Sequence, residues 1–160
     1  MWEIAPSAYN LLHQVESVNT AVFISYKRET SSAFALLIES RLRELGINAF
    51  VDRSIVGGDD WHGELEHRIK ASPVFICVIA PGTLESDWIQ KEIEWAEDNL
   101  RIAVLHPDYQ YETDGKRDTY PSAVREFMEK KQWIPVAAET AKGYHDAVED
   151  IINAIRLRAG

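Results

Sequence analysis

Short, almost unbroken apolar runs alternate in this chain with segments of helical period, and that alternation constrains the fold more than any other feature. The runs are Ala21-Val22-Phe23-Ile24-Ser25, Ile47-Asn48-Ala49-Phe50-Val51-Asp52, Val74 to Ala80, Ile102-Ala103-Val104-Leu105 and Trp133-Ile134-Pro135-Val136. Four of the five are nearly continuous in apolar residues, as strands covered on both faces are, which is the pattern of a parallel sheet. Between them apolar residues recur every three to four positions. Phe34, Leu37, Ile38, Leu42 and Leu45 stripe a first helix, with Ser31 or Ser32 suited to cap its start and Gly46 to the left-handed position past its end. Leu65 and Ile69 mark a second helix, stopped before Ser72-Pro73, and Ile89, Ile93, Ala96 and Leu100 mark a third. Val124, Phe127 and Met128, opened by Pro121, mark a fourth; Ala147, Val148, Ile151, Ile152 and Ile155 mark the last. Five strand–helix repeats predict an α/β fold with a five-stranded parallel sheet and helices on both faces. Right-handed crossovers leave few topologies, and strand order 2-1-3-4-5 is the one expected.

A chain of 160 residues suits one domain and buries enough apolar surface to fold without disulfides or metal. Its single cysteine, Cys77, sits inside the third apolar run and reads as a small core residue. A net charge of -9 argues against a duplex nucleic-acid partner, which calls for a basic patch or stripe. No apolar stretch has the length of a membrane-spanning helix, and the start, Met1-Trp2-Glu3-Ile4-Ala5-Pro6, lacks a signal-peptide pattern. A cytoplasmic location without membrane contact is therefore expected. Residues 1–19 fall outside the repeat and read as an N-terminal extension, with a short helix hinted at by Tyr9, Leu11, Leu12 and Val15; the domain proper is expected over 20–160. Residues 107–120 are polar, carry the Asp114-Gly115 pair and read as one long loop, functional or mobile.

In an open parallel sheet, ligands bind beyond the carboxyl ends of the strands where strand order reverses. In this chain that point lies between strands one and three. Strand one exits into Ser25-Tyr26-Lys27-Arg28-Glu29, strand three into Pro81 to Ser86, and strand two into Arg53 to Trp61. Three loops thus converge on one cleft. The usual occupants of such a sheet are missing: there is no acidic cluster after strand one, no glycine-rich dinucleotide fingerprint, no P-loop, no nucleophile elbow and no zinc-spaced His/Cys set. The third helix is more informative. Ser86 or Asp87 suits its cap, with Gln90 reaching back if Asp87 is the cap. Beside its core stripe run Trp88, Glu92 and Trp95, at i, i+4 and i+7 on one face. By spacing alone a helix glutamate is a solvated one, and Glu94, Glu97 and Asp98 keep that reading.

Four segments, in order, match one family. Val22-Phe23-Ile24-Ser25-Tyr26-Lys27-Arg28 resembles the first-strand signature of TIR domains, Phe50-Val51-Asp52 the second-strand signature, Arg53 to Trp61 the position of the variable BB loop, and Ser86-Asp87-Trp88-Ile89-Gln90-Lys91-Glu92 the Trp-x-x-x-Glu helix motif. The resemblance covers about residues 20–156 and is to the NAD-cleaving members in particular, animal and bacterial. It implies a flavodoxin-like three-layer fold and NAD+ glycohydrolase or cyclase activity, with Glu92 as the catalytic carboxylate. It maps the family's basic residues after strand one onto Lys27 and Arg28, expected to meet the pyrophosphate, and a ligand-contacting BB-loop aromatic onto Trp61, for which loop anchoring is the alternative. Ser25, Tyr26, Gly57 and Trp88 are expected in the same substrate site, with helix packing the alternative for Trp88. Gly57 stands where an animal relative carries an acidic residue, a departure within the BB loop. Ser25 is expected to hydrogen-bond the ligand or a neighbouring loop, and Asp52 to pair with Arg28 or Arg53.

The chemistry implied is economical. Nicotinamide leaves NAD+ as a neutral ring, so no general acid is required, and the difficulty is the positive charge that develops on the ribose. One carboxylate near the ribose hydroxyls stabilises it. NAD+ is then substrate, with no further cofactor and no metal. The resemblance also implies self-association through TIR–TIR contacts, an active site completed by a neighbouring subunit, a fused or separate sensor module, and an immune or antiphage role. The competing reading is a non-catalytic scaffold that binds other TIR domains.

Overall fold

The computed structural model describes residues 21–52 and 59–159, without the side chains of residues 59–61, 158 and 159. The extension 1–19 and most of the segment after the second strand lie outside the described residues. The elements run β1 (Ala21–Tyr26), α1 (Arg28–Glu44), β2 (Asn48–Val51), α2 (Asp59–Ala71), β3 (Val74–Ile79), α3 (Asp87–Trp95), β4 (Leu100–Leu105), α4 (Ser122–Glu129), β5 (Trp133–Pro135) and α5 (Ala141–Ala159). The five strands pair in parallel in the order β2-β1-β3-β4-β5. This is the expected α/β architecture, with helices on both faces.

Period-two alternation along the strands assigns each side chain to a layer. Val22 and Ile24 face one way, with Ile76, Val78 and Val104, and meet Ala35, Ile38 and Leu42 of α1 and Val148, Ile151, Ile152 and Ile155 of α5. Phe23 faces the other way, with Phe75, Cys77 and Ile79. There it meets Leu65 and Ile69 of α2, Ile89 and Ile93 of α3, and Val124, Phe127 and Met128 of α4. Cys77 is fully enclosed. Every residue in β3 is buried, which is what a central strand covered on both faces requires.

Three details differ from the sequence expectation. Helix α1 starts at Arg28 rather than beside a serine cap, and Ser31 instead marks a kink, with φ -134°. Ser31 and Ser32 spend their hydroxyls on Thr30 Oγ1 and the Arg28 carbonyl. Leu37 on this helix and Leu45 just past its end are exposed, Phe34 is half-buried against Tyr144, and Ala35 and Glu39 are buried in their place. Leu100 belongs to β4, because α3 stops at Trp95. Gly46 does take the left-handed conformation, φ 78°.

The long loop is held rather than loose. Tyr109, Tyr111 and Tyr120 are buried in it, and two 3-10 turns, Tyr111–Thr113 and Arg117–Thr119, shape it. Asp114 is its centre. The hydroxyls of Tyr109 and Tyr120 both donate to Asp114 Oδ2 at 2.7 Å, and the Lys116 N–H donates to Oδ1 at 2.9 Å. Lys116 Nζ then pairs with Glu85 Oε1 at 2.6 Å, tying the loop to the turn after β3.

Candidate active site

At the carboxyl edge of the sheet, between β1 and β3, lies an open cleft of about 220 Å³, smaller than the pockets that enclose a whole drug-sized ligand. Its lining comes from four directions: Ile24, Ser25 and Tyr26 from β1, Lys27, Arg28 and Glu29 from the start of α1, Asp52 from the end of β2, and Ser86, Trp88, Ile89 and Glu92 from α3. This is the strand-reversal point at which the sequence places the ligand.

The third wall is built by a chain of local bonds. After β3, the Ala80 N–H donates to Thr83 Oγ1 at 3.0 Å. Gly82, at φ +89°, turns the chain through a conformation that side chains disfavour, and a Cβ there would stand 3.7 Å from Lys27 Nζ. Ser86, not Asp87, caps α3, accepting from the Ile89 N–H at 3.4 Å. Gln90 Nε2 donates to the Leu84 carbonyl at 2.8 Å, fixing the helix to the turn. Ile89 and Ile93 then anchor α3 in the core, and the same rotation brings Glu92 to the sheet edge.

Glu92 is not a solvated helix glutamate. Its relative exposure is 2%. Ser25, on the same strand face as Phe23, donates its hydroxyl to Glu92 Oε1 at 2.8 Å. Burial pushes the Glu92 carboxyl up to about 8; the Ser25 hydrogen bond opposes this rise and the nearby Asp52 charge adds to it. A buried carboxyl that is mostly protonated at neutral pH is an unusual group to keep inside a protein. Burial, helped by the Glu92 charge, also raises the Cys77 thiol well above its ordinary range, so the cysteine beside the site is inert.

The other residues named from the sequence fall as follows. Tyr26 lines the cleft, and its hydroxyl donates to the Asp52 carbonyl at 2.9 Å, bracing β1 against the end of β2. Lys27 is half-buried and precedes α1 without making a side-chain cap. Arg28 is exposed at the rim. Trp88 lines the cleft; Trp95 does not, and instead meets the Trp88 ring edge-on at 5.8 Å. Gly57 and the Trp61 side chain lie outside the described residues. Ser25 is the residue whose surroundings sequence reasoning missed: its partner is Glu92 itself, which spacing along the chain does not reveal. Also unforeseen is a group at the neighbouring strand end, where His106 Nε2 lies 2.9 Å from Glu139 Oε1, with Asp108 close by.

A family model for the TIR domain matches residues 22–152. The chain belongs to the TIR domain family. Among known proteins, this TIR domain is 30% identical over 112 residues to NAD(+) hydrolase tir-1 of Caenorhabditis elegans, a match covering 65% of this chain. The chain spans only 11% of that curated relative. Among solved structures it is similar to the TIR domains of the activated Roq1 resistosome, with TM-score 0.66 and 18% identity over 85% of this chain and 99% of that one. The RPS4 and RRS1 TIR domain heterodimer gives TM-score 0.58 and 19% identity, over 86% and 96%. The CMP N-glycosidase BcmB of Clostridium botulinum gives TM-score 0.55 and 18% identity, over 84% and 99%. These likenesses establish the TIR fold. Among its described residues, no helix of this TIR domain is long and apolar enough to cross a membrane.

Proposed function

We propose that this TIR domain cleaves NAD+ at the nicotinamide–ribose bond, with Glu92 as the catalytic carboxylate. The observation that carries the reading is the buried Glu92 carboxyl, restrained by Ser25 on one oxygen and opening to the cleft at the strand-reversal point. The 30% identity to a protein named NAD(+) hydrolase supports it, and the shared fold of a named N-glycosidase is consistent with chemistry at an N-glycosidic carbon.

The arrangement suits the reaction step by step. The dinucleotide enters with its pyrophosphate toward Lys27 and Arg28 at the start of α1, where cationic side chains and the positive end of the helix favour an anion. Trp88 faces the flat base. The positive pyridinium favours the ionised form of Glu92, so the carboxyl sheds its proton as substrate binds. The C–N bond then breaks with its electron pair passing to the ring nitrogen, and nicotinamide departs neutral. Glu92 stabilises the cation left on the ribose, in surroundings where a buried charge acts strongly. Water adds to the anomeric carbon, a proton is lost, and ADP-ribose results; an internal nucleophile in place of water gives a cyclic isomer. No further cofactor and no metal enters this scheme.

Because kcat/KM reports the free enzyme, it is expected to rise with pH, about tenfold per unit, up to about 8 and then level. Nicotinamide release measured from pH 6 to 9.5 checks this, and a profile flat across that range removes Glu92 from the catalytic role.

A second property belongs beside the first. Leu36 and Leu37 of α1 are exposed, an apolar pair that fits assembly of one TIR domain on another, and structural neighbours are named as a heterodimer and a resistosome. We read the domain as one that self-associates to become active, as an immune effector or signal producer coupled to a sensor module. Pure scaffolding without catalysis leaves the buried Glu92 carboxyl unexplained.

A further inference from the structure

Trp88 forms a wall of the cleft one helical turn before Glu92. It is only partly buried, so core packing alone does not fix its ring. Trp95 meets one edge, with the two planes at 90°. The His62 imidazole of α2 lies against it too, ring centroids 4.7 Å apart and planes inclined by 46°. His62 stands three residues before Leu65 and seven before Ile69, so it heads the core-facing stripe of α2. Where the core ends at the sheet edge, its ring meets Trp88 instead of another apolar group. Among the described residues the His62 side chain makes no hydrogen bond, ion pair or second ring contact. An exposed imidazole held against an indole, in place of water, contributes chiefly to where that indole sits.

We propose that His62 is a positioning residue of the cleft: seated against Trp88, it holds the indole as a wall ready to face the flat, cationic base of the dinucleotide. This rests on reading the cleft as an NAD+ site. A rigid aromatic wall lowers the ordering cost of binding, and the face of an indole attracts a cation. His62 stands outside the cleft lining that holds Glu92, so its contribution belongs to binding rather than to bond cleavage.

The test is steady-state nicotinamide release by the full chain carrying His62→Ala or His62→Phe, with Glu92→Ala as the inactive reference. His62→Ala is expected to raise KM for NAD+ about threefold to tenfold, the range set by one aromatic contact, with kcat within twofold of wild type. His62→Phe, which keeps a ring at the position, is expected to restore KM to within about twofold. Both variants should unfold at the wild-type temperature, since the residue is exposed. A wild-type KM in His62→Ala overturns the proposal and leaves the NAD+ reading standing. Equal impairment of the Ala and Phe variants, or a loss that follows a lowered unfolding temperature, also overturns it. Wild-type protein that releases no nicotinamide overturns both.

Discussion

Glu92 is the residue on which the proposed chemistry and the stability of this domain meet. Its carboxyl is raised from an ordinary 4.5 to about 8, first by burial. The folded chain therefore holds a proton that the unfolded chain gives up between those values, and stability falls as pH rises through this window. Above pH 8 the ionised, buried group opposes folding, by at most roughly 5 kcal/mol. Glutamine keeps an acceptor for Ser25 and cannot ionise. Glu92→Gln is thus expected to be more stable than wild type at pH 8.5, by a few kcal/mol, with the difference shrinking toward pH 4.5; thermal unfolding across that range measures it. Ser25 acts in the opposite sense, because its hydroxyl favours the charged form. Ser25→Ala is expected to move the rise in kcat/KM about one pH unit higher, the size of one hydrogen bond to a charge. An unmoved profile would show that the hydroxyl does not govern the carboxyl. The sequence singles out Glu92 by the Trp-x-x-x-Glu motif and its place between Trp88 and Trp95, but its burial and its bond to Ser25 are not legible there. Sixty-seven positions separate it from Ser25, and only the parallel pairing of β1 with β3, and the docking of α3 against them, brings the two together.

At the scale of elements, the strands are readable from sequence because burial on both faces leaves almost no polar residue in β1, β3 or β4. Helices α4 and α5 are readable because their apolar stripes, Val124 with Phe127 and Ile151 with Ile155, each serve one core face. Helix α1 is harder. It carries Leu36 and Leu37 outward, so a hydrophobic stripe and a buried stripe are not the same there. The segment 107–120 is misleading for another reason: its polar residues hide a clamp made by two tyrosines on one carboxylate. Burial alone would lift the Asp114 carboxyl, but the hydrogen bonds from Tyr109, Lys116 N–H and Tyr120 outweigh it and hold the carboxyl below its ordinary range. Asp114→Ala is expected to destabilise the domain by about 1–3 kcal/mol, leaving two half-buried hydroxyls without their acceptor. Thermal unfolding at pH 7 checks this. Through Lys116 and Glu85 the same clamp steadies the turn behind the cleft, so the variant should also weaken NAD+ cleavage more than its stability alone predicts.

Across the whole molecule, the sheet fixes where chemistry is possible before any side chain is considered. Order β2-β1-β3-β4-β5 opens its cleft between β1 and β3, and the residues there supply cations at the mouth, an indole on the wall and one buried carboxyl at the base. The location of the cleft follows from strand order and is legible in the sequence; the burial of Glu92, the ring contact of His62 and the clamp at Asp114 depend on packing between distant segments and are not. The proposed self-association belongs to this scale as well, and it calls for concentrated protein. The most direct measurement of whether Glu92 carries NAD+ cleavage is therefore NAD+ turnover followed by mass spectrometry in concentrated, assembled protein, comparing wild type with Glu92→Ala. Wild type is expected to yield nicotinamide together with ADP-ribose or a cyclic isomer, and the variant to be slower by about a hundredfold or more. Equal release from both proteins, or none from assembled wild type, would contradict the assignment.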